Sequence, residues 1–170
     1  MAEAAVQEVV FTAEQIAGRV EELGRQISAD YAGQEIFLIA VLRGALPFLA
    51  DLARQLTVPA LVDFMVVDRS GSAVRIVKDL DLPLAGRDVL LVEDIVDEGE
   101  TLDYLADAIH LRNPHTFKVV TMFHKPGRHR GRVRPDYCGF EVPERFVVGY
   151  GLDFQQRFRN LPYLALLERQ

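Results

Sequence analysis

The chain is poor in cysteine and tryptophan and has no long apolar segments, and these deficits limit what it can be. It holds 1 cysteine and 0 tryptophans in 170 residues. Cys138 has no second cysteine with which to form an intramolecular disulfide, which is typical of a reducing compartment, and we assign it no role. No apolar run reaches the roughly 18 residues that span a bilayer, and the opening MAEAAVQEVV lacks the basic segment of a signal peptide. We therefore expect a cytoplasmic protein without a membrane segment.

The chain also lacks an excess of positive charge. Its net charge is −6 and its pI is near 5.2, which argues against non-specific binding to nucleic acid. Hydrophobic residues make up 49% and charged residues 26%, an ordinary globular composition. We find no repeat, linker or low-complexity segment, so we expect residues 1–170 to form a single domain.

What is present is an alternation of buried strands and amphipathic helices. Thr12 and Gln15 predict the capping box of a first helix, whose apolar stripe is Ile16, Val20, Leu23 and Ile27. The second helix contains Pro47 in its first turn and should bury Leu46, Leu49, Leu52 and Leu56. A third helix is expected at about 101–111, and strands at 35–42, 61–67, 88–92, 118–123 and 146–148. Strands that are apolar on both faces indicate an α/β fold with a mostly parallel sheet flanked by helices.

An acidic loop follows the strand that begins at Asp88. Its glycine, Gly99, stands just before a helix, where backbone N–H groups and the helix dipole attract anions. Carboxylates beside such a turn can hold a ribose diol, bind Mg²⁺ or move a proton, although they can equally do no more than cap the helix. Paired acids directly after a buried strand favour a functional role. The carboxylates are Glu93, Asp94, Asp97, Glu98, Glu100 and Asp103.

The segment VLLVEDIVDEGETL, 89–102, resembles the phosphoribosyl-diphosphate motif of type I phosphoribosyltransferases. Three further segments narrow the resemblance to the hypoxanthine-guanine branch of that family: VLRGALPFLADL at 41–52, HKP at 124–126 and ERFVVGYGLDFQQRFRNLPY at 144–163. The resemblance implies the fold of this family, in which terminal segments form a small hood over the sheet. It also implies purine salvage, in which phosphoribosyl passes from 5-phospho-α-D-ribosyl 1-diphosphate to hypoxanthine or guanine, giving IMP or GMP and pyrophosphate. The cofactor implied by the resemblance is Mg²⁺, and the implied assembly is a homodimer or homotetramer.

The resemblance also implies a role for each site residue. Asp97 would be the catalytic acid/base, and the ribose and 5′-phosphate would be bound by Glu93, Asp94, Glu98, Gly99, Glu100 and Thr101. Pyrophosphate would be bound by Leu42, Arg43, Gly44 and Arg159, and the purine by Lys125, Phe146 and Val147. The Mg²⁺ ligands would be Glu93, Asp94 and Asp153. Lysine is only a hydrogen-bond donor, so Lys125 suits a 6-oxo purine and opposes the 6-amino group of adenine.

Two features depart from the family pattern. Glu98 stands where the family has Ser or Thr, and with Glu100 it places two carboxylates around Gly99. If both faced the bound phosphate, their repulsion would weaken donor binding about tenfold or more; if both turned to solvent, the backbone alone would bind it. The loop at 66–75 is also shorter than the family's mobile loop and contains no Tyr. A short loop would leave the site wetter during the reaction.

These departures leave alternatives open. One is a homologue with low turnover or another base, such as xanthine. The other is a regulator that binds nucleotide or RNA, suggested by the basic run of Lys125, Arg128, Arg130, Arg132 and Arg134. No aromatic residues for base stacking are interleaved with that run, which argues against RNA. Three histidines, His110, His115 and His129, are expected at the surface, and His124 has no assigned role.

Overall fold

The computed structural model describes residues 5–69 and 73–168. Twelve elements follow one another along these residues: β1 (Ala5–Phe11), α1 (Ala13–Asp30), β2 (Ile36–Leu42), α2 (Leu46–Gln55), β3 (Ala60–Asp68), β4 (Arg75–Lys78), β5 (Asp88–Val96), α3 (Glu100–His110), β6 (Thr116–His124), β7 (Tyr137–Glu141), β8 (Val147–Val148) and β9 (Leu164–Glu168). Six strands form the larger sheet in the order β4-β3-β2-β5-β6-β7, and three form the smaller one in the order β1-β9-β8.

The larger sheet is parallel except at one edge, where β4 runs antiparallel to β3. Helices cover both of its faces. On β2, Ile36, Leu38 and Ala40 join the core shared with α1 and α2, while Phe37 and Ile39 join the core shared with α3. Burial on both faces explains why this strand is an unbroken apolar run in the sequence, and the predicted α/β architecture is confirmed.

The smaller sheet is the expected hood. β1 near the N-terminus pairs antiparallel with β9 near the C-terminus, and β9 pairs antiparallel with β8. Val147, Leu164 and Leu166 pack into the same core as α1 and α2, which joins the hood to the larger sheet. Four strands, β1, β4, β7 and β9, have no counterpart among the strands predicted from the sequence. Two of them, β1 and β9, pair across most of the chain length, so neither carries a local signal of its partner.

The helices largely agree with the predictions made from the sequence. The capping box of α1 is present: Gln15 N–H donates to Thr12 Oγ1 over 3.3 Å and Thr12 N–H donates to Gln15 Oε1 over 2.8 Å. The expectation that Leu46 lies inward is wrong, since it is 51% exposed. Phe48, Leu49 and Leu52 form the buried face of α2, and at about 100° per residue Leu46 lies about 100° from the centre of that face. Among the described residues no helix combines the length and apolar character needed to cross a membrane.

Candidate active site

The candidate site lies at the carboxyl ends of β2, β5 and β6, where parallel strands of an open sheet present their loops. Two adjoining cavities open there. The first cavity has a volume of about 370 Å³ and is lined by the loop between β5 and α3 together with Arg69 and Arg128. The second, of about 570 Å³, is lined by the loop after β2, by Lys125 and by residues that follow β8. Asp97 and Glu93 line both cavities, so groups bound in the two would meet at these carboxylates.

Every site residue named from the sequence lines one of these cavities. The first cavity is lined by Glu93, Asp97, Glu98, Gly99, Glu100 and Thr101. The second is lined by Glu93, Asp94, Asp97, Leu42, Arg43, Gly44, Lys125, Phe146, Val147, Asp153 and Arg159. Residues spread from 42 to 159 therefore converge on one place.

The phosphate loop, which we define as residues 97–101, is shaped for close backbone packing. Gly99 has φ +94°, a left-handed conformation that a residue with a side chain adopts only at a cost. A Cβ at this position would lie 2.7 Å from His129 Nε2 and 3.0 Å from the Cα of Gly131. The N-cap residue of α3 is Gly99, which has no side chain to cap the helix. The first N–H groups of α3 can thus bind an anion in the first cavity.

Glu93 and Asp94 are two adjacent acids at the end of β5. Glu93 is 3% exposed, and burial, reinforced by the charge of Asp94, raises its pKa to about 8. Burial also raises the pKa of Asp94, against the opposing effects of a hydrogen bond from Ile95 N–H and of the charges of Arg69 and Arg159. A buried and a half-buried carboxyl group side by side are a site that a cation or hydroxyl donors would stabilise.

These acids fit Mg²⁺ in the manner that this ion prefers, with a few carboxylate oxygens completed by substrate oxygens and water. Within residues 5–69 and 73–168 no group of three or more His, Cys, Asp or Glu side chains is arranged as a self-sufficient metal centre. The third predicted ligand, Asp153, forms an ion pair with Arg159 over 2.6 Å. The donor set is therefore suited to a metal that arrives with an oxygen-rich substrate.

Asp97 is the centre of a cluster of charges. Lys125 Nζ donates to its Oδ2 over 3.0 Å, and Arg128 Nε lies 2.5 Å from its Oδ1. The side chain of Lys125 is only 8% exposed and that of Asp97 is 34% exposed. Two cations thus hold the carboxylate in place between the two cavities.

The two departures from the family pattern have different structural outcomes. Glu98 does not stand alone, because its Oε1 accepts a hydrogen bond of 2.6 Å from Arg128 Nη2. Glu100 is exposed in the first turn of α3. Within the short loop at 66–75, residues 70–72 lie outside the described residues. On either side of them, Arg75 and Asp68 form an ion pair of 2.9 Å.

The loop after β2 contacts the acids directly. A Cβ on Gly44 would fall 1.5 Å from Asp94 Oδ2, so only glycine allows this approach. The peptide bond between Leu42 and Arg43 is cis. Arg43 Nη1 donates to Gln156 Oε1 over 3.1 Å, and Arg159 Nη2 donates to the same oxygen over 3.2 Å. Two guanidinium groups therefore face one end of the second cavity, as a polyanionic group requires.

The aromatic and basic side chains after β6 and β8 complete the second cavity. Phe146 is half-buried and its ring meets that of Phe154 edge to face, with centroids 5.8 Å apart. Val147 is buried beside it. An aromatic face, a backbone edge and the Lys125 ammonium group together form a slot suited to a flat, polar heterocycle.

The predicted surface position of His129 is wrong, because this side chain is only 3% exposed. Its Nδ1 lies 2.8 Å from Nε2 of His124, which is also buried, and its ring lies against Gly99 beneath the phosphate loop. Burial lowers the pKa of both imidazoles. No spacing in the sequence shows this contact, because it depends on how the loop at 125–131 folds back over residues 97–101.

The basic run is not an exposed patch of free charge. Lys125 and Arg128 pair with Asp97, and Arg132 pairs with Asp107 over 2.8 Å. Arg130 donates to the carbonyl oxygens of Gly127 and His129. The acids of the chain thus neutralise most of this run, which argues against its use as an RNA-binding surface.

Comparison with known proteins agrees with this geometry. A family model described as "Phosphoribosyl transferase domain" matches residues 7–155. The hypoxanthine-guanine phosphoribosyltransferase of Mycobacterium bovis is 46% identical over 175 residues, covering 96% of this chain and 87% of the relative. That of Bacillus subtilis is 41% identical over 169 residues, covering 96% and 94%. The crystal structure of a hypoxanthine-guanine phosphoribosyltransferase from Bacillus anthracis, with HEPES in its active site, has a TM-score of 0.94 at 36% identity and covers 98% and 99%.

Proposed function

The chain belongs to the phosphoribosyltransferase family, and from this premise we propose that it transfers phosphoribosyl from 5-phospho-α-D-ribosyl 1-diphosphate to hypoxanthine or guanine. The products are IMP or GMP and pyrophosphate, which makes this a purine salvage enzyme. The observation that carries the proposal is the position of Asp97, which lines both cavities and is held there by Lys125. Neither relatives nor solved structures support the alternative of an RNA-binding regulator.

Each part of the donor has a counterpart in the site. The 5′-phosphate would bind at the phosphate loop, where Gly99, Glu100 and Thr101 offer backbone N–H groups and Thr101 its hydroxyl. Glu93 and Asp94 would accept hydrogen bonds from the ribose hydroxyls. The pyrophosphate would lie against Arg43 and Arg159, with the backbone at Leu42 and Gly44. Glu98 lines this site in place of the family's hydroxyl residue.

The purine would occupy the second cavity. Phe146 would stack on the ring, the backbone of Val147 would meet its edge, and Lys125 would donate to its 6-oxo group. In the reaction a purine ring nitrogen forms a bond to the anomeric carbon while the bond from that carbon to the pyrophosphate oxygen breaks. Asp97 takes the proton that the ring nitrogen loses. Fixing both reactants beside this carboxylate supplies much of the rate enhancement.

We assign Mg²⁺ as the cofactor, held by Glu93, Asp94 and Asp153 together with oxygens of the donor. When bound it supplies positive charge that neutralises the leaving pyrophosphate. Placing the protein in the cytoplasm and in a homodimer or homotetramer is part of the same proposal. We also treat residues 1–170 as a single phosphoribosyltransferase domain, since the hood and the larger sheet share one core.

Purified protein, Mg²⁺ and the donor should be assayed for nucleotide formation with hypoxanthine, guanine, xanthine and adenine. We expect turnover with the first two. Asp97→Asn removes the proton acceptor and should lower kcat by at least about 100-fold. Asp107→Asn is the matched control, because Asp107 is 63% exposed, pairs with Arg132 and lines neither cavity. Adenine as the best substrate, or full activity of the Asp97 variant, would contradict the proposal.

A further inference from the structure

The first cavity carries more negative than positive charge although its expected occupant is an anion. Its lining includes four acidic side chains, Glu93, Asp97, Glu98 and Glu100, and two guanidinium groups, those of Arg69 and Arg128. Even without Glu93, whose raised pKa favours its neutral form, the acids outnumber the guanidinium groups by three to two. A phosphate dianion beside Glu98 and Glu100 would be repelled by each of them. Some group must therefore offset these charges if the donor is to bind well.

Arg128 is placed to do this. Its Nη2 donates to Glu98 over 2.6 Å and its Nε pairs with Asp97 over 2.5 Å, so one guanidinium group spans two carboxylates of the phosphate loop. The Nη1 group takes part in neither ion pair. With its side chain 40% exposed at the cavity wall, Arg128 can offer this third nitrogen to a ligand.

The backbone fixes Arg128 relative to the phosphate loop. Arg130 N–H and Gly131 N–H both donate to the carbonyl oxygen of Glu98, over 2.9 and 3.0 Å. Arg128 N–H donates to the Lys125 carbonyl over 3.1 Å, and Lys125 N–H donates to Val96 over 2.9 Å. The guanidinium group is thus carried by a turn that is bonded to the loop it faces, which reduces the entropy lost when it binds an anion.

We propose that Arg128 is a further donor-binding residue, which neutralises Glu98 and contributes its Nη1 group, the nitrogen outside both ion pairs, to the 5′-phosphate. Glu98 and Arg128 then act as a pair that takes over the task of the hydroxyl side chain usual at this position. The carboxylate fixes the guanidinium group at the rim of the cavity, and the guanidinium group removes the repulsion that the carboxylate would exert on the phosphate. This assignment rests on the proposed function, because it takes the occupant of the first cavity to be a sugar phosphate.

The test is a double-mutant cycle with ribose 5-phosphate as the probe, measured by calorimetry at low salt without base or pyrophosphate. Arg128→Gln should weaken binding at least about tenfold, the loss of one charge-assisted hydrogen bond. In the Glu98→Thr background the same change should weaken binding by a factor at least threefold smaller, because the Glu98 carboxylate that Arg128 neutralises is no longer there to repel the phosphate. Arg128→Lys keeps the positive charge but lacks the several N–H donors of the guanidinium group, and it should bind the probe more tightly than Arg128→Gln. Such partial recovery by a second substitution at the same position would show that the loss in Arg128→Gln is not caused by misfolding.

Arg132→Gln is the matched control: Arg132 lies in the same loop and pairs with Asp103 and Asp107, away from the first cavity. It should bind ribose 5-phosphate within twofold of the wild type. The assignment is overturned if Arg128→Gln weakens binding less than threefold, or by the same factor in both backgrounds. A wild type that binds the probe but makes no nucleotide would refute the proposed function while leaving the role of Arg128 testable. A wild type that makes nucleotide, with binding insensitive to Arg128, would refute only the role of Arg128.

Discussion

Replacing Gly44 by alanine perturbs the site at its tightest contact. The added Cβ would lie 1.5 Å from Asp94 Oδ2 and 2.6 Å from its Cγ. Ordinary contacts of a Cβ lie at 3.4–4 Å, so the carboxylate and the loop must separate by about 2 Å. The backbone at Gly44 is itself tightly packed and cannot shift far. Its carbonyl oxygen lies so close to Gly151 that a Cβ built on Gly151 would fall 2.0 Å from it. Asp94 must therefore move.

The effect of this substitution can be estimated both on the stability of the protein and on its activity. Overpacking of this kind lowers the free energy of unfolding by about 1–3 kcal/mol. A displacement of about 1 Å at a catalytic group can cost about 100-fold in rate, so kcat/KM should fall by at least that factor, equivalent to about 2.7 kcal/mol in the transition state. Urea unfolding and steady-state kinetics with hypoxanthine measure the two effects separately.

Gly18→Ala is the matched control, since it makes the same chemical change on the exposed face of α1. A Cβ there would meet nothing within 4 Å. Alanine is the better helix former, so this variant should gain about 0.5–1 kcal/mol of stability and keep full activity. If Gly44→Ala retained kcat/KM within threefold of the wild type, the claim that this glycine is required for the position of Asp94 would be wrong.

Two further predictions concern base selection and pH. Lys125→Gln replaces a donor by a group that both donates and accepts, so the ratio of kcat/KM for hypoxanthine over adenine should fall at least about tenfold; an unchanged ratio would show that Lys125 does not select the base. Burial, with the charge of Arg134, lowers the pKa of His124 and His129 in the folded protein, so below pH of about 6.5 the unfolded chain binds protons that the folded chain does not. The contribution of these two imidazoles to the free energy of unfolding should therefore be fully present above that pH and decline as pH falls from it towards the lower folded-state pKa values. Glu93, whose pKa is raised to about 8, acts in the opposite direction but equally in wild type and variant. Urea unfolding between pH 7.5 and 5.5 should therefore show that the wild type loses stability relative to His129→Gln as pH falls, and a constant difference between the two would contradict this account.

Several features were predictable because near neighbours in the chain determine them. The capping box of α1 requires only Thr12 and Gln15, three positions apart. The buried strands β2 and β5 are apolar on both faces, which a short window of sequence displays. The phosphate loop combines Gly99 with the start of α3, so its conformation and its anion-binding N–H groups follow from a few consecutive residues.

The sequence by itself therefore determined the α/β architecture and the segment that carries the phosphate loop. Only the tertiary structure decided what surrounds that segment. Arg128 was visible as part of a basic run, but its partners Asp97 and Glu98 lie about 30 positions away in the chain. The burial of His129 against Gly99 and the contact of Gly44 with Asp94 depend in the same way on loops from different strands meeting at one edge of the sheet. Charge and burial are properties of that meeting, which no local pattern of residues specifies.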